Sequence, residues 1–310
     1  MSQQPLITIG LTCFNAQDTI LRAIRSAQEQ NYGNFEILVV DDGSSDHSVE
    51  IITEFIQTSP NVRLVIHKVN KGYPEALNSI MHNANGEYIA FFDDDDDSAS
   101  DRLQKQLDRI NTYKSLHAEA KHILCYTNRE VYFPKSVQPD YELKAIGRTP
   151  KEPHGKIVAD YLLWDSGAKG YQWGMFGSCT LMIATETLKA VNGFDPDFRR
   201  CAEWDMAIKA AFAGAHFIGV DEPLIAQHKT MTSDKSGRTP LKYSLLLREK
   251  HKSYLKKNHL YQASRLVARA RYFGGQNKTL LSKIYMGLAA LCAPDTILWK
   301  HITNKTGNAS

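Results

Sequence analysis

The chain has 310 residues, of which 43% are hydrophobic and 23% are charged, as in typical globular proteins. This composition excludes wholesale disorder, a collagen-like helix and a continuous coiled coil. The longest nearly apolar run, Ile284 to Ala293, is too short to span a bilayer as a helix. The start, Met1 to Pro5, is polar, so we expect no signal peptide. The five cysteines are scattered without a CxxC pair, which argues against a thiolate zinc site and predicts a reducing, cytoplasmic location.

Charge is distributed unevenly along the chain. From Leu241 onward there are 13 Lys/Arg and 2 Asp/Glu, a net charge of +11. The first 240 residues hold 24 Lys/Arg and 32 Asp/Glu, a net charge of −8. The basic segment favours an anionic surface such as a membrane leaflet, a nucleic acid or an acidic partner. The alternative is an ordinary solvated helical face.

The first 115 residues alternate short apolar runs with amphipathic segments. The runs Leu6–Thr12, Phe35–Val40, Val62–Ile66 and Tyr88–Phe92 predict four buried strands. The segments between them, and one that begins near Ser100, predict helices. This alternation is typical of βαβ units in a mostly parallel sheet, whose ligands bind beyond the C-terminal ends of the strands.

The pattern beyond residue 115 is less regular. We predict a pair of strands within His122–Phe133, a surface loop over Pro134–Gly155 and a strand over Ser178–Ala184. Apolar residues at helical spacing predict a helix over Glu203–Ala213. The sequence pattern over residues 241–310 predicts three helices.

Five consecutive aspartates, Asp93–Asp97, follow the fourth predicted strand and are called the acidic run below. Carboxylates this close repel one another, which raises their pKa values unless a cation is present. Oxygen ligands at this density suit Mg²⁺ or Mn²⁺. The alternative is an acidic cap for the helix that begins near Ser100. We favour the metal site, because a cap does not need five acids.

Two further acidic groups are candidates for chemistry. The segment Asp41–Ser44 follows a strand and can accept hydrogen bonds from a base or ribose, or form an Asx-turn. Because it follows a strand as the acidic run does, we expect both in one crevice. Glu203 and Asp205 open a predicted helix, where an acid serves as a general base or interacts with the helix dipole.

The remaining candidates are single residues. His228 follows a strand, and it is either a metal ligand, a phosphate contact or a structural histidine. Lys235 and Arg238 lie in the polar segment Thr230–Pro240, which we predict to be a mobile loop. They either close over a diphosphate or stay solvated. The sequence has no Walker P-loop, Gly-x-Ser-x-Gly or His-Glu-x-x-His motif.

Taken in order, these motifs resemble those of a family 2 glycosyltransferase with a GT-A fold. The resemblance is carried by Ile9–Asn15, Phe35–Asp46, Asn70-Lys71-Gly72, Gly86–Asp96 and Gly193-Phe194-Asp195 with the Glu203 helix. It covers about three quarters of the chain, to about Thr230. It implies an α/β fold, with a mixed, mostly parallel sheet flanked by helices, over residues 1–240. The nucleotide-binding half would span about 1–115 and the acceptor-binding half about 116–240, followed by a basic helical extension over 241–310.

The resemblance also implies roles for individual residues. The nucleotide-binding positions would be Thr12, Phe14, Asn15, Asp41, Asp42, Lys71, Asp93 and Asp94. Asp93–Asp95 matches the Asp-x-Asp motif, so Asp95 would be the direct metal ligand and Asp93 a contact to the ribose or the metal shell. The family's Glu-Asp pair reads Ala202-Glu203 here, which makes Glu203 the first choice for the base and Asp205 the second.

The implied activity is inverting, metal-dependent transfer of a sugar from a UDP-sugar to a saccharide or lipid-linked saccharide acceptor, in surface polysaccharide biosynthesis. We place Trp173, Gly177 and Ser178 at the acceptor wall. One alternative is a sugar-phosphate nucleotidyltransferase, which would release pyrophosphate. Another is a non-catalytic membrane-surface module, because Ile284–Leu291 with its flanking lysines suits an interfacial helix or a dimer interface. We expect no nucleic-acid partner and a peripheral position at the inner membrane face, and the oligomeric state stays open.

Overall fold

The computed structural model describes residues 4–149, 151–165, 167–229 and 237–298. They fall into two compact units. The first, called the α/β unit below, comprises the described residues of Met1–Val158 and Lys169–Met231. The second, called the helical unit, comprises those of Ala159–Ala168 and Thr232–Ser310.

The first half of the α/β unit alternates strands and helices, as predicted. Its elements are β1 Ile7–Cys13, α1 Ile20–Gln28, β2 Phe35–Asp41, α2 Ser48–Ile56, β3 Val62–Ile66, α3 Tyr73–Asn83, β4 Tyr88–Phe92, β5 Asp97–Ser98 and α4 Arg102–Leu116. Every residue of β1 and β4 is buried, because strands covered on both faces need continuous apolar runs. The four predicted strands are confirmed. The short strand β5 was not predicted, because it lies in a wholly polar segment.

The second half of the unit differs from the sequence prediction in three places. Its elements are β6 Ile123–Tyr132, β7 Tyr141–Leu143, α5 Lys156–Leu163, β8 Met182–Ala184, α6 Thr185–Ala190, α7 Ala202–Phe212 and β9 His216–His228, with α5 continuing into the helical unit. The pair of strands predicted over His122–Phe133 is wrong, because this segment is the single strand β6. Its partner β7 lies inside the predicted loop Pro134–Gly155. The prediction for Ser178–Ala184 was partly wrong, since Ser178–Thr180 is a 3₁₀ turn.

Strand β6 continues through polar residues because neighbouring strands satisfy them. The Thr127 hydroxyl donates to the Glu222 carbonyl oxygen at 2.7 Å. The Asn128 amide donates to Glu142 at 2.9 Å and to Asp221 at 2.8 Å. Asparagine is common in turns, but buried polar groups with partners are compatible with a strand.

The strands form one mixed sheet in the order β3-β2-β1-β4-β8-β6-β9-β5, with β7 on β6. Strand β1 pairs in parallel with β2 and β4, and β6 pairs in parallel with β9. Strand β8 is antiparallel to both β4 and β6. The predicted mixed, mostly parallel sheet is confirmed. The C-terminal ends of β1, β2 and β4 therefore share one edge, which we call the C-terminal edge.

A buried arginine holds the backbone on both sides of the acidic run. Arg102 is fully buried and donates to the Phe91 carbonyl oxygen at 2.8 Å, Ser98 Oγ at 3.0 Å and Gln106 Oε1 at 3.0 Å. Burial lowers the pKa of Arg102 to about 10, so the guanidinium remains charged at neutral pH. Phe91 near the end of β4 and Ser98 at the end of β5 are thereby tied to α4.

The helical unit contains four α-helices among its described residues, where three were predicted. They are α8 Thr239–Lys250, α9 Lys252–Lys257, α10 Tyr261–Gly275 and α11 Thr279–Cys292, followed by a π-turn at Pro294–Leu298. The extra break is at His251, where no Gly or Pro signals it. Arg248 is buried and donates to the Leu163 and Ser264 carbonyl oxygens at 2.6 and 2.8 Å. In the described part of the chain, no helix is both long and apolar enough to cross a membrane.

Candidate active site at the C-terminal edge

The loops after β1 and β2 are joined by backbone contacts. The Asn15 amide donates to Ser44 Oγ at 2.9 Å, and its side-chain oxygen accepts from the Ser45 amide at 2.8 Å. Thr12 is buried, whereas the Phe14 ring is 46% exposed at the end of β1. Of these three predicted nucleotide-binding residues, Phe14 offers a free surface to a base, and Asn15 shapes the loop.

Asp41 and Asp42, at the end of β2, have different hydrogen-bond partners. Asp42 accepts hydrogen bonds from His67 Nδ1 at 2.6 Å and from the Lys71 and Gly72 amides at 2.9 and 2.8 Å. It therefore holds the turn before α3, and the Lys71 side chain is exposed. Asp41 accepts from the Gly43 and Ser44 amides at 3.1 and 3.0 Å, both through Oδ1.

The second oxygen of Asp41 is available for a ligand. Asp41 Oδ2 is buried and has no hydrogen-bond partner among the described residues. An unsatisfied buried acceptor is costly, so a donor group of a ligand or an ordered water would stabilise this atom. Gly43, with φ 75°, permits the loop after β2 to lie against the backbone at Asn70. A Cβ added to Gly43 would lie 2.6 Å from the Asn70 amide nitrogen.

Each carboxylate at the start of the acidic run has its own partner. Asp93 Oδ1 accepts from the Tyr73 hydroxyl at 2.9 Å. Asp94 Oδ2 accepts from the Phe14 amide at 2.9 Å, which connects the run to the loop after β1. The predicted nucleotide contacts Phe14, Asp93 and Asp94 therefore lie together at the C-terminal edge.

The end of the run is tied to β9 and α1. Asp96 Oδ1 accepts from the His228 amide at 3.1 Å, and Asp97 Oδ2 lies 3.0 Å from His228 Nε2. Arg22 donates to the Asp95 carbonyl oxygen at 2.6 Å and pairs with Asp97 at 3.2 Å. These contacts fix the direction in which the run leaves the sheet.

The buried carboxylates resist ionisation. Burial, the largest cause for each, raises the pKa of Asp93 to about 6, of Asp94 to about 7 and of Asp96 to about 9, and neighbouring carboxylates raise each pKa further. Asp96 Oδ2 is buried without a partner among the described residues. A cation would relieve this repulsion and supply the missing partner.

The side chains of the run fit a hard divalent ion. Asp93, Asp96 and Cys179 each offer one ligand atom, and these atoms lie within 4.8 Å of one another. Cys179 Sγ accepts from Arg129 Nη1 at 2.9 Å, and burial raises the pKa of this thiol, which disfavours the thiolate that binds metals. The two carboxylates then remain as oxygen ligands of the kind that Mg²⁺ and Mn²⁺ prefer.

The predicted metal ligands are only partly brought together. Asp93 belongs to this compact group, whereas Asp95 and His228 do not, so their assignment as ligands stays a prediction. Most of the predicted loop Thr230–Pro240 lies outside the described residues, and its last two residues begin α8 rather than a loop. Lys235 lies outside the described residues, and Arg238 lies in the helical unit, directly before α8.

The two candidate bases lie in different environments on α7. Glu203 is half-buried, and its Oε1 accepts from the Ser178 hydroxyl at 3.2 Å. Ser178 Oγ lies 2.7 Å from the Tyr73 hydroxyl, which in turn donates to Asp93. Asp205 is fully buried, with its carboxylate 3.5 Å from Lys209 Nζ. Glu203 is thus connected to the acidic run, and Asp205 is shielded from solvent.

Sequence reasoning missed three residues of this site. Tyr73, Arg129 and Cys179 were not singled out, although Tyr73 directly follows the Asn70-Lys71-Gly72 turn. Arg129 could have been identified from the sequence, because it is a charged residue within a predicted strand. Ser178 was assigned to the acceptor wall, without its contacts to other side chains.

Comparison with known proteins defines the class of this chain. Residues 8–154 match the model of the family described as glycosyl transferase family 2. A putative colanic acid biosynthesis glycosyl transferase of Escherichia coli is 30% identical over 210 residues, which cover 66% of this chain and 69% of that protein. The chain therefore belongs to glycosyl transferase family 2, a class of enzymes that transfer sugars.

Particular relatives extend the similarity to nearly the whole chain. An amylovoran biosynthesis glycosyltransferase of Erwinia amylovora is 25% identical over 280 residues, or 89% of this chain and 88% of that protein. For several other curated relatives, the matched part is only about two fifths of their length.

Solved structures confirm the predicted GT-A fold. Residues 1–349 of Staphylococcus aureus TarS in complex with UDP-GlcNAc superpose with a TM-score of 0.63 at 15% identity, covering 95% of this chain and 83% of that one. A Pyrobaculum calidifontis mannosyltransferase in complex with GDP-Man and Mn²⁺ gives a TM-score of 0.55 at 17% identity, covering 99% and 81%. At these identities the likeness establishes the fold alone.

Proposed function

We propose that this enzyme moves a sugar from a UDP-sugar to a hydroxyl of a saccharide or lipid-linked saccharide, with inversion at the anomeric carbon, during surface polysaccharide synthesis. The observation that carries the proposal is a row of four oxygens, Asp93 Oδ1, Tyr73 Oη, Ser178 Oγ and Glu203 Oε1, called the four-oxygen line below. It joins a carboxylate suited to a metal–diphosphate group with a carboxylate suited to proton abstraction. Relatives named for amylovoran and colanic acid synthesis support the polysaccharide role.

The donor would bind across the C-terminal edge. Asp41 Oδ2 would accept an N–H of the uracil, and the exposed Phe14 ring would pack on the base. Asp93 and Asp96, with Asp95 as the ligand expected from the sequence, would hold Mn²⁺ or Mg²⁺. When bound, such a cation neutralises the charge that develops on the leaving diphosphate.

The proton and the sugar then move in one step. Glu203 takes the proton of the acceptor hydroxyl as that oxygen attacks the anomeric carbon. The new bond forms on the face opposite the diphosphate, the bond to the diphosphate oxygen breaks, and the configuration is inverted. Asp205 is not positioned for this role, because it is buried beside Lys209.

A donor screen tests this proposal. The purified chain is incubated with UDP- and GDP-sugars and a lipid-linked acceptor, with Mn²⁺ or with EDTA, and released nucleotide is measured. We expect UDP release from one UDP-sugar that requires both acceptor and divalent cation. Pyrophosphate release from a sugar phosphate and a nucleoside triphosphate would instead support nucleotidyl transfer and contradict the proposal.

We also propose that the helical unit docks on an anionic membrane, where a lipid-linked acceptor resides. On α11, four aliphatic side chains spaced along one face are exposed: Leu280, Ile284, Leu288 and Leu291, at 72, 47, 43 and 79%. The opposite side of α11 packs on α10, where the Tyr285 ring stacks on Phe273 at 5.4 Å. An apolar face that is exposed among the described residues, within a segment of net charge +11, suits an anionic lipid surface.

The docking face can be tested by sedimentation with vesicles. We expect the wild type to bind phosphatidylglycerol-containing vesicles, less strongly in high salt, and to bind pure phosphatidylcholine weakly. The double variant Ile284→Asp/Leu288→Asp should lose binding about 10-fold or more, because each buried aliphatic contributes about 1.5–3 kcal/mol. Leu116→Asp is the matched control, since Leu116 is 73% exposed on α4. Unchanged vesicle binding in the double variant, or a stable dimer that buries this face, would contradict the proposal.

A further inference from the structure

Two neutral hydroxyls connect the two ends of the candidate active site. Along the four-oxygen line, the successive distances are 2.9 Å from Asp93 to Tyr73, 2.7 Å from Tyr73 to Ser178 and 3.2 Å from Ser178 to Glu203. All three are within hydrogen-bond reach. The four residues come from four separate segments of the α/β unit, so the line exists only in the folded protein.

The line has more contacts than hydrogens. The Tyr73 and Ser178 hydroxyls carry one hydrogen each, and an ionised carboxylate carries none. With Asp93 and Glu203 ionised, two hydrogens serve three contacts, so one contact is an unfavourable approach of two oxygens. A third hydrogen completes the line.

The reaction supplies that third hydrogen. When Glu203 takes the acceptor proton, its new O–H can donate to Ser178, Ser178 to Tyr73, and Tyr73 to Asp93. All three contacts are then hydrogen bonds, and no further proton is needed. The line is therefore better satisfied after proton abstraction than before it, which favours the transition state over the ground state.

We infer that Tyr73 and Ser178 are positioning residues that orient Glu203 and stabilise its protonated form as the acceptor oxygen attacks. This inference rests on the proposed function, in which Glu203 is the base. Burial of Ser178, which is 2% exposed, keeps water from substituting for its hydroxyl. The 3₁₀ turn Ser178–Thr180 fixes the serine, and the start of α3 fixes the tyrosine.

Single substitutions along the line test the inference. Ser178→Ala and Tyr73→Phe should each lower kcat about 10- to 100-fold, the range for one hydrogen bond to a charged group. For Ser178→Ala we expect the donor KM to stay within about 3-fold, and Ser178→Thr should restore most of kcat, because it keeps the hydroxyl. Ser26→Ala and Tyr32→Phe are matched controls, since both side chains are buried elsewhere in the unit and should leave kcat unchanged.

A double variant separates one connected line from two independent contacts. If the line acts as a unit, Ser178→Ala/Tyr73→Phe should lose little more activity than the worse single variant. Losses that multiply, a full kcat in Ser178→Ala, or an effect on donor KM alone would each overturn the inference. Melting temperature and UDP binding, measured for every variant, identify a substitution that unfolds the protein, and Tyr73→Phe then carries the test.

The Glu203→Gln variant distinguishes a failure of this inference from a failure of the proposed function. If Glu203→Gln is inactive and Ser178→Ala is fully active, the inference fails while the proposed base stands. If Glu203→Gln keeps wild-type activity, the assignment of the base fails and the inference fails with it.

Discussion

Replacing Glu203 with glutamine is expected to lower kcat about 10²- to 10⁴-fold, the usual contribution of a positioned general base. Glutamine has the same shape and can still accept the hydrogen bond from Ser178, which lies 3.2 Å from Glu203 Oε1. It cannot take the acceptor proton. We therefore expect UDP affinity within about 3-fold of the wild type, measured by calorimetric titration beside single-turnover transfer assays.

Asp205→Asn is the matched control for Glu203→Gln, because it makes the same chemical change two residues along the same helix. Asp205 is fully buried and 3.5 Å from Lys209 Nζ. Its neutralisation should lower the melting temperature, since it removes a negative charge 3.5 Å from Lys209 Nζ, and should reduce kcat by less than 10-fold. An inactive Asp205→Asn together with an active Glu203→Gln would reverse the assignment of the base.

The part of the site that could be predicted from the sequence is the part built by consecutive residues. The acidic run follows a buried strand, and the sheet topology places it beside the end of β1 and on the same edge as the end of β2, as expected from parallel pairing of β1 with both neighbours. The pattern could not show that Asp42 holds a turn while Asp41 keeps a free oxygen. That difference depends on which backbone amides the folded loop directs at each carboxylate.

Contacts between distant segments explain most of what sequence reasoning missed. Tyr73 and Ser178 are 105 residues apart in the chain, and each has an ordinary local context. Strand β6 illustrates the same limit for the fold. Its polar centre looks like a turn until the partners of Asn128, which are 14 and 93 residues away, are known.

Neutralising one buried carboxylate of the acidic run is expected to raise the stability of the metal-free protein. Because the pKa values of Asp93, Asp94 and Asp96 are raised to about 6, 7 and 9, the folded protein holds protons that the unfolded chain releases near pH 4. This contribution to stability is present at low pH and is lost as pH rises through these values. Asp96→Asn should therefore raise the melting temperature at pH 8 by about 2–8 °C and flatten its dependence on pH.

Metal binding should stabilise the folded protein more at high pH, whereas protonation of the carboxylates stabilises it at low pH. A divalent cation binds the ionised carboxylates, so the increase in melting temperature caused by Mn²⁺ should be larger at pH 8 than at pH 6 in the wild type. Asp93→Asn and Asp96→Asn should lose most of that increase, and EDTA should abolish it and stop turnover.

Two comparisons decide which carboxylates hold the ion. Asp95→Asn should also lose the Mn²⁺ effect and turnover if the ligand expected from the sequence completes the set. Asp108→Asn is the control, because Asp108 is an exposed aspartate on α4 that accepts a hydrogen bond from Gln104, and it should behave as the wild type. If Asp93→Asn and Asp96→Asn both keep the wild-type response to Mn²⁺, these two carboxylates do not bind the cation. The raised pKa values would then reflect buried carboxylates without a metal-binding role.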